Sequence, residues 1–388
     1  MTNSVIVHIY PSPMTHESRI VKQSQTQEKC FKNESVYLLG LHEKNLKTHE
    51  SLQKRIHIRR FPVPALFSHS STPRKLIKYI NYMIKSFLFC KKHPITLLQI
   101  HSIVLLPIAF LIKKTTPCKI IYDAHELETE KNGWQPWKIF IATYFEKFFI
   151  KYVDHTLVVS QNILRFYKKK YPKISISLIL NSPKHKEPSA SNYFRKKWNI
   201  KPDQNIFLYQ GLLDADRGIL TMLEAFKQKN KAHDQKDILV LLGFGTCETI
   251  IKQAAQENEN IFFHEAISPQ KLLNYTSSAT YGIAPLIFNN AGLSYQYCMP
   301  NKFFEYCMAG LPVISGPSKE LAETIRYHKL GIILENDSPE DFCNTIEILK
   351  SKNKQVLSNN CKSFSKNFNW NIEEKKLKTI YKEVGILN

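Results

Sequence analysis

Three groups of residues in this chain have types that could do chemistry, and the first also has the spacing for an anionic ligand. In Pro300-Asn-Lys-Phe-Phe-Glu-Tyr-Cys-Met-Ala-Gly-Leu-Pro-Val-Ile314, Asn301 and Glu305 lie four residues apart on one helical face, and Phe304 and Met308 share another. Pro300 suits the first helical position, because its ring presets φ and its missing N–H would be unpaired there anyway. Gly310 suits the left-handed position that closes the helix. A loop running into a helix with a bare N-terminus gathers free N–H groups at the positive end of the helix dipole, a natural diphosphate site. A glutamate one turn inside can accept hydrogen bonds from a ribose. On spacing alone, an ordinary loop–helix–strand unit with a surface glutamate carries the same residues. The second group is Arg217-Gly218, in a turn that follows an apolar strand. The third is His125 in Asp123-Ala-His-Glu-Leu-Glu128, where a strand ends; taken by itself it reads as a histidine satisfied at a strand end.

The elements that must position these groups alternate along the chain. Short apolar runs at Val5–Tyr10, Ser35–Leu41, Ile56–Val63, Thr96–Ile100, Lys119–Tyr122, Thr156–Ser160 and Ser175–Leu180 are separated mostly by helix-length stretches. That alternation predicts a mostly parallel sheet wrapped by helices, with ligands collecting at the carboxyl ends of the strands. The loop Pro11 to Arg19 contains no glycine, so it is no dinucleotide-binding fingerprint; His16, Glu17 and Arg19 are its candidates for an acceptor. A second series starts after the charged, proline-containing stretch that follows Asn181. The boundaries read as 1–181 for a first domain, 182–191 for a linker, 192–365 for a second domain and 366–388 for a terminal helix. Ile206-Phe-Leu-Tyr-Gln-Gly-Leu-Leu213 is a strand carrying Gly211, and Ile238-Leu-Val-Leu-Leu-Gly-Phe-Gly245 is a fully apolar strand ending in a Gly-x-Gly turn.

Charge narrows the partners. Of the net +21, +17 falls in residues 1–180, and no acid occurs between Glu50 and Asp123 while thirteen lysines and arginines do. One half therefore faces, or tolerates, something anionic: a membrane surface, a lipid-linked or phosphorylated acceptor, or nucleic acid. Arg74 to His93 reads as a basic amphipathic helix with Leu76, Ile80, Met83 and Phe87 on one face, flanked by Ile77, Ile84 and Leu88, and with Lys78, Asn81, Lys85 and Lys92 opposite. Its apolar face can lie on anionic lipid or on the sheet. Trp134 to Tyr152 is expected to be a core helix with Phe145, Phe148 and Phe149 packed inward. The eight cysteines show no CxxC or zinc spacing and fit reduced thiols. No leader peptide and no spanning segment are expected: the longest apolar run, Ile103 to Ile112, is too short and holds Pro107.

The stretch Pro300 to Ile314 resembles the donor-site signature of nucleotide-sugar-dependent glycosyltransferases of family 4. The resemblance implies the α/β fold called GT-B: two Rossmann-like domains facing across a cleft, with the C-terminal helix returning to the first. It implies that the helix opened by Pro300 and Asn301 holds the nucleotide diphosphate and that Glu305 binds the ribose. Gly211 and Arg217 are similar to the family's "strand, glycine, arginine-glycine" element, in which the basic residue neutralises the diphosphate. The strand and loop of His264 and Ala266 resemble the segment whose backbone recognises the base, and Gly245 falls in the correctly placed glycine turn. His125 resembles the strand-end histidine that faces the donor sugar. Members of the family retain anomeric configuration and need no metal, so Arg217 and Lys302 are expected to stabilise the leaving diphosphate. No cofactor is implied beyond a UDP- or GDP-type sugar as co-substrate. The expected acceptor is a polysaccharide, lipopolysaccharide or lipid-linked glycan at the cytoplasmic face of a membrane, with peripheral attachment and no nucleic acid.

Two departures stand out. Tyr297 occupies the place of a second glutamate, eight residues before Glu305, that contacts the donor sugar in many members, and the glycine-rich first loop is missing. The rivals are a nucleotide-sugar epimerase on the same fold, for which Asp123, Glu126 and Glu128 are the candidate acids, and a non-catalytic basic binding or partner protein.

Overall fold

The computed structural model describes residues 4–62, 72–231, 236–288 and 291–387 of the chain, and side chains within 72–76 are left aside. Two compact units emerge, Met1–Ile179 with Glu373–Asn388, and Leu180–Ile372.

The first unit is built on strands β1 (Val5–Ile9), β2 (Ser35–Leu41), β3 (His49–Gln53), β4 (Ile56–Phe61), β5 (Ile95–Ile100), β6 (Lys119–Ala124), β7 (His155–Val158) and β8 (Ile176–Leu178). Their helices are α1 (Ser18–Cys30), α2 (Thr72–Lys92), α3 (Leu106–Thr115), α4 (Pro136–Phe149) and α5 (Gln161–Lys170). The sheet order is β3-β4-β2-β1-β5-β6-β7-β8. Every pairing is parallel except β3 with β4. β3 escapes sequence reading because all five of its residues are exposed and its pattern is polar. Val63, the last residue expected in the third run, lies outside the described residues.

The second unit carries α6 (Tyr193–Trp198), β9 (Asn205–Leu212), α7 (Ile219–Lys231), β10 (Asp237–Phe244), α8 (Glu248–Glu257), β11 (Ile261–Glu265) and α9 (Pro269–Thr276). It continues with β12 (Tyr281–Ile283), α10 (Leu293–Gln296), α11 (Asn301–Ala309), β13 (Val313–Ser315), α12 (Lys319–His328), β14 (Gly331–Ile333), α13 (Pro339–Ser351) and α14 (Lys354–Asn367). Its all-parallel sheet runs β11-β10-β9-β12-β13-β14, the doubly wound order, so the chain reverses direction between β9 and β12. A crevice outside the strand ends at that reversal is where such sheets hold ligands. Buried Phe207, Tyr209, Leu239 and Leu241 form the core between the sheet and α7, α8 and α13.

A last helix, α15 (Trp370–Glu383), starts in the second unit and finishes in the first, where Tyr381 is fully buried.

Two helices of the first unit turn their apolar stripes outward. For α4 this is against expectation, while for α2 it goes against only the sheet-packed one of the two placements left open. In α4, Phe148 is exposed and Phe145 and Phe149 are half-buried, so none of the three is a core residue. What α4 buries is Glu146, whose carboxylate accepts from Tyr167 Oη at 2.6 Å, Tyr171 Oη at 2.8 Å and Tyr122 Oη at 3.3 Å. Anchoring the helix by that face leaves Trp137, Phe140, Ile141, Tyr144 and Phe148 as a stripe in which every member is more than half exposed. In α2 the buried face is Tyr82, Ser86, Phe89 and Cys90, while Ile77, Ile80, Ile84 and Leu88 are exposed and Met83 and Phe87 half-buried. The side chain of Leu76 lies outside the described residues.

Candidate functional site

The residues of Pro300–Gly310 fold as their chemistry dictates, with one shift. Pro300 is extended (φ −73°, ψ 144°) and caps the helix from outside rather than opening it, because Asn301 is the first residue with helical geometry. Pro300 makes no side-chain cap to α11. The Phe303 N–H bonds Pro300 O at 3.1 Å, while the Asn301 and Lys302 N–H groups ahead of it make no hydrogen bond among the described residues, at the positive end of the dipole. Gly310 closes it in the left-handed conformation, and Leu311 N–H bonds back to Tyr306 O at 2.9 Å.

The end of β9 supplies the opposite wall. Gly211 has φ +115°, and a Cβ there would meet Lys302 Cε and Nζ at 3.2 Å. Its missing side chain therefore makes room for the lysine, whose ammonium sits 3.6 Å from the centroid of the Tyr209 ring. Burial, then the nearby Arg217 charge, drives the Lys302 amine well below the usual lysine range. Glu305 is held from below: Gln210 Nε2 donates to its carboxylate at 2.5 Å, and Thr276 Oγ1 donates to Gln210 Oε1 at 2.8 Å. Tyr306 Oη ties the two elements by accepting Gln210 N–H at 3.0 Å and donating to Ile283 O at 3.1 Å.

Arg217 ends a 3-10 turn after β9. Its guanidinium lies 4.6 Å from the centroid of the Tyr295 ring, Nη2 donates to Tyr295 Oη at 3.2 Å, and Asp216 stands 3.4 Å from Nε. The Nε–H is buried and makes no hydrogen bond within the described residues, so a donor is held in reserve beside an uncapped helix end. Arg217 and Lys302 are thus brought together, and both border the residues that support Glu305.

The glycine turn behaves differently. A Cβ on Gly245 would meet Leu213 O at 2.4 Å, so Gly245 lets the ends of β9 and β10 close on each other. The same two loops are stitched by Asp214, which accepts from Thr246 N at 2.8 Å and Thr246 Oγ1 at 2.7 Å. His264 is half-buried with both ring nitrogens engaged, by Tyr193 Oη at 3.1 Å and Glu265 O at 2.7 Å; Ala266 is exposed just beyond the edge strand β11. Tyr209, Gln210, Asp214 and Tyr295 were invisible as site residues in the sequence, since they come from a strand, a turn and a helix and carry no spacing signal.

In the first unit, His125 lies just past β6 with its side chain 23% exposed and Nε2 2.9 Å from His101 Nδ1. Beneath it, Asp123 is fully buried and bonded by Arg19 through Nε at 2.9 Å and Nη2 at 2.7 Å, and by Gln23 Nε2 at 2.8 Å. Burial pushes this carboxyl up, but the Arg19 charge above all outweighs it and holds Asp123 well below the usual carboxylate range. Arg19 is therefore a buried counter-ion, not an acceptor-side residue. His101, Asp123 and His125 offer three ligand atoms within 4.8 Å of one another, the geometry of a metal triad. Yet the Asp123 oxygen that would serve already accepts from Gln23 and Arg19, and a guanidinium beside it repels a cation. Glu126 and Glu128 both pair with Lys131, at 3.2 and 3.3 Å.

Residues 204–351, within the second unit, match the family model described as "Glycosyl transferases group 1". The chain is 25% identical over 231 residues to a lipopolysaccharide 1,2-N-acetylglucosaminetransferase of Salmonella typhimurium, covering 55% of this chain and 58% of that relative. The match thus spans little more than half of the relative's length. Sucrose-phosphate synthase from Thermosynechococcus elongatus superposes with TM-score 0.73 at 16% identity, over 98% of this chain and 99% of that one. HepE from Anabaena, in complex with UDP, superposes with TM-score 0.72 at 11% identity, over 98% and 100%. The fold is that of the GT-B glycosyltransferases: two parallel-sheet α/β units with a helical C-terminal end.

Proposed function

We propose that the protein is a glycosyltransferase that moves a sugar from a nucleotide-sugar donor to a growing lipopolysaccharide, another polysaccharide or a lipid-linked acceptor. The observation that carries this reading is the meeting of the uncapped α11 N-terminus with the unsatisfied Arg217 Nε–H and the buried amine of Lys302. Free N–H groups, a guanidinium and an ammonium around one point are what a diphosphate leaving group needs, and they perform the charge neutralisation otherwise left to a metal. We therefore assign Arg217 and Lys302 to the diphosphate, with Pro300 and Asn301 framing the helix end. Glu305 accepts from the ribose hydroxyls, Gly211 and Gly245 shape the strand ends, and His264 and Ala266 lie along the base. UDP is favoured as the nucleotide because a neighbour of the same fold binds it. His125 holds the donor sugar, and transfer proceeds with retention although Tyr297 stands where a second glutamate is usual.

The epimerase alternative needs acids free to move protons, whereas Asp123 is sealed under Arg19 and Lys131 takes up Glu126 and Glu128.

On the acceptor side, the exposed stripes of α2 and α4 support attachment to an anionic membrane surface. The helix α3 packs against both and adds exposed Leu111, and Lys138 and Lys151 lie over the rings of Trp137 and Phe148 at 5.4 and 4.9 Å. Apolar rings with lysines folded over them match the boundary between acyl chains and headgroups. No helix among the described residues is long and apolar enough to cross a membrane; the attachment proposed is peripheral, at the cytoplasmic face.

The test is a thermal-shift screen of UDP-, GDP- and ADP-sugars, followed by NMR of the anomeric proton of any transferred or released sugar. Stabilisation by one sugar nucleotide and an unchanged anomeric configuration are expected. Absence of binding to every nucleotide would overturn the reading.

A further inference from the structure

An ionised carboxylate can only accept hydrogen bonds, and this orients a closed set of buried side chains beneath His125. Because Asp123 accepts from Gln23 Nε2, the Gln23 oxygen faces the other way and takes an N–H from Gln99. Gln99 Oε1 in turn accepts from Gln27 Nε2 at 3.1 Å, and the second hydrogen of that amide goes to Tyr381 Oη, on the returning helix, at 2.9 Å. With both its amide hydrogens committed, Gln27 presents only Oε1 to His8 Nε2, 2.6 Å away. His8 must therefore carry its proton on Nε2 and accept through Nδ1, where His101 Nε2 donates across 2.8 Å. A neutral His101 is then bare at Nδ1, which lies 3.2 Å from Asp123 Oδ2, and the His125 Nε2–H is shared between that nitrogen at 2.9 Å and Asp123 Oδ2 at 3.4 Å. These bonds run one way along a single chain of donors from His125 to Asp123, and every residue in it belongs to the first unit.

We propose that this amide–histidine chain holds His125 as its Nε2–H tautomer, so that Nδ1, which has no protein partner among the described residues, accepts a hydrogen bond from a ligand hydroxyl. Neutrality of the chain fits the burial that pulls His8 down to about 4 and His101 down to about 3. Gln23, Gln27, Gln99, His8 and His101 are positioning residues: they touch no ligand and fix which face of one imidazole is a lone pair. The inference deepens the reading of His125 as a sugar contact and rests on that reading only for the identity of the hydroxyl as a sugar's.

The tautomer is read directly by two-bond ¹⁵N–¹H correlation on the full chain labelled at histidine, with the His125 signals identified by their loss in His125→Gln. At pH 7 the expected pattern is neutral His8 and His101 protonated at Nε2, with the neutral form of His125 carrying its proton on Nε2 as well. A protonated Nδ1 on neutral His125, or a doubly protonated His101, overturns the proposal. In Gln27→Leu the acceptor for His8 is gone, and His125, which makes no contact with Gln27, is expected to become a mixture of tautomers. An unchanged His125 spectrum in a folded Gln27→Leu protein would mean that the chain does not set the tautomer. If Gln27→Leu does not fold, the native spectrum still decides. Failure to turn over any sugar nucleotide would sink the transferase reading while leaving the tautomer result standing, so the two are separable.

Discussion

The Lys302 ammonium rests 3.6 Å from the centroid of the Tyr209 ring, in the space that Gly211 leaves open. Burial and the Arg217 charge weaken the hold on its proton before any ligand arrives. A diphosphate placed at the α11 N-terminus reverses that balance, because opposite charge favours the protonated form. UDP binding should therefore be accompanied by proton uptake. Calorimetric titrations in two buffers of different ionisation enthalpy read this directly, and an uptake that persists unchanged in Lys302→Met would remove the lysine from the phosphate site.

Gly211→Ala tests the same packing from the strand side. The new methyl meets Lys302 at 3.2 Å, and φ of +115° is a conformation that a side chain strains, which costs on the order of 1–3 kcal/mol. The expected outcome is a lower unfolding temperature together with weaker UDP binding. Wild-type affinity in this variant would show that the place of Lys302 does not depend on Gly211.

Much of this arrangement was legible in the chain itself. The strand runs fell close to where β1, β2, β5 and β6 lie, because apolar residues spaced for a buried parallel sheet leave few alternatives. Gly310 was readable as a helix terminator, since its left-handed backbone favours glycine. The orientation of α2 and α4 was not readable. An apolar stripe at helical spacing looks the same whether it faces a core or faces out, and in α4 the deciding residue is Glu146, a charged side chain drawn inward by three tyrosines from β6, α5 and the residue after α5. Likewise, the Gln23–Gln99–Gln27 chain has no spacing pattern, because its members come from α1 and β5 and meet only when the sheet forms.

The buried histidines give stability a definite pH dependence. Both lie below the ordinary histidine value of 6.5, at about 4 and about 3. Below pH 6.5 the unfolded chain binds protons that the folded one refuses, so stability falls as pH drops from 6.5 toward 4. Each histidine contributes about 1.4 kcal/mol per pH unit in that window and nothing above it. Calorimetric scans at pH 7 and pH 5 should show the first unit losing its unfolding temperature, with a shallower loss in His8→Asn. Identical slopes for the two proteins would contradict the buried, neutral state of His8.

The outward stripes make a claim about surfaces. Each lysine near an anionic bilayer contributes about 1 kcal/mol, and this attraction decays within about a Debye length. The protein should sediment with vesicles containing phosphatidylglycerol at low salt and leave them at high salt. Replacing Trp137 and Phe140 together with serine should reduce binding at least about tenfold, since each ring carries roughly 2 kcal/mol of apolar burial, and nucleotide binding should be untouched. Changing Lys78, Lys85 and Lys92 to glutamine should weaken it further. Indifference to anionic vesicles at low salt would return both helices to scaffold.

The central claim is that the α11 N-terminus, Arg217 and Lys302 hold the diphosphate while Glu305 holds the ribose. Calorimetric titration of UDP and of uridine into the wild-type protein, Arg217→Ala and Glu305→Ala separates the two roles. A hydrogen bond involving a charged group contributes about 1.5–3 kcal/mol, or roughly a 10- to 150-fold change in affinity. Arg217→Ala is expected to lose that much for UDP and almost nothing for uridine, and Glu305→Ala to lose it for both. Equal losses for UDP and uridine in Arg217→Ala, or unchanged affinity in a folded Glu305→Ala, would contradict the account.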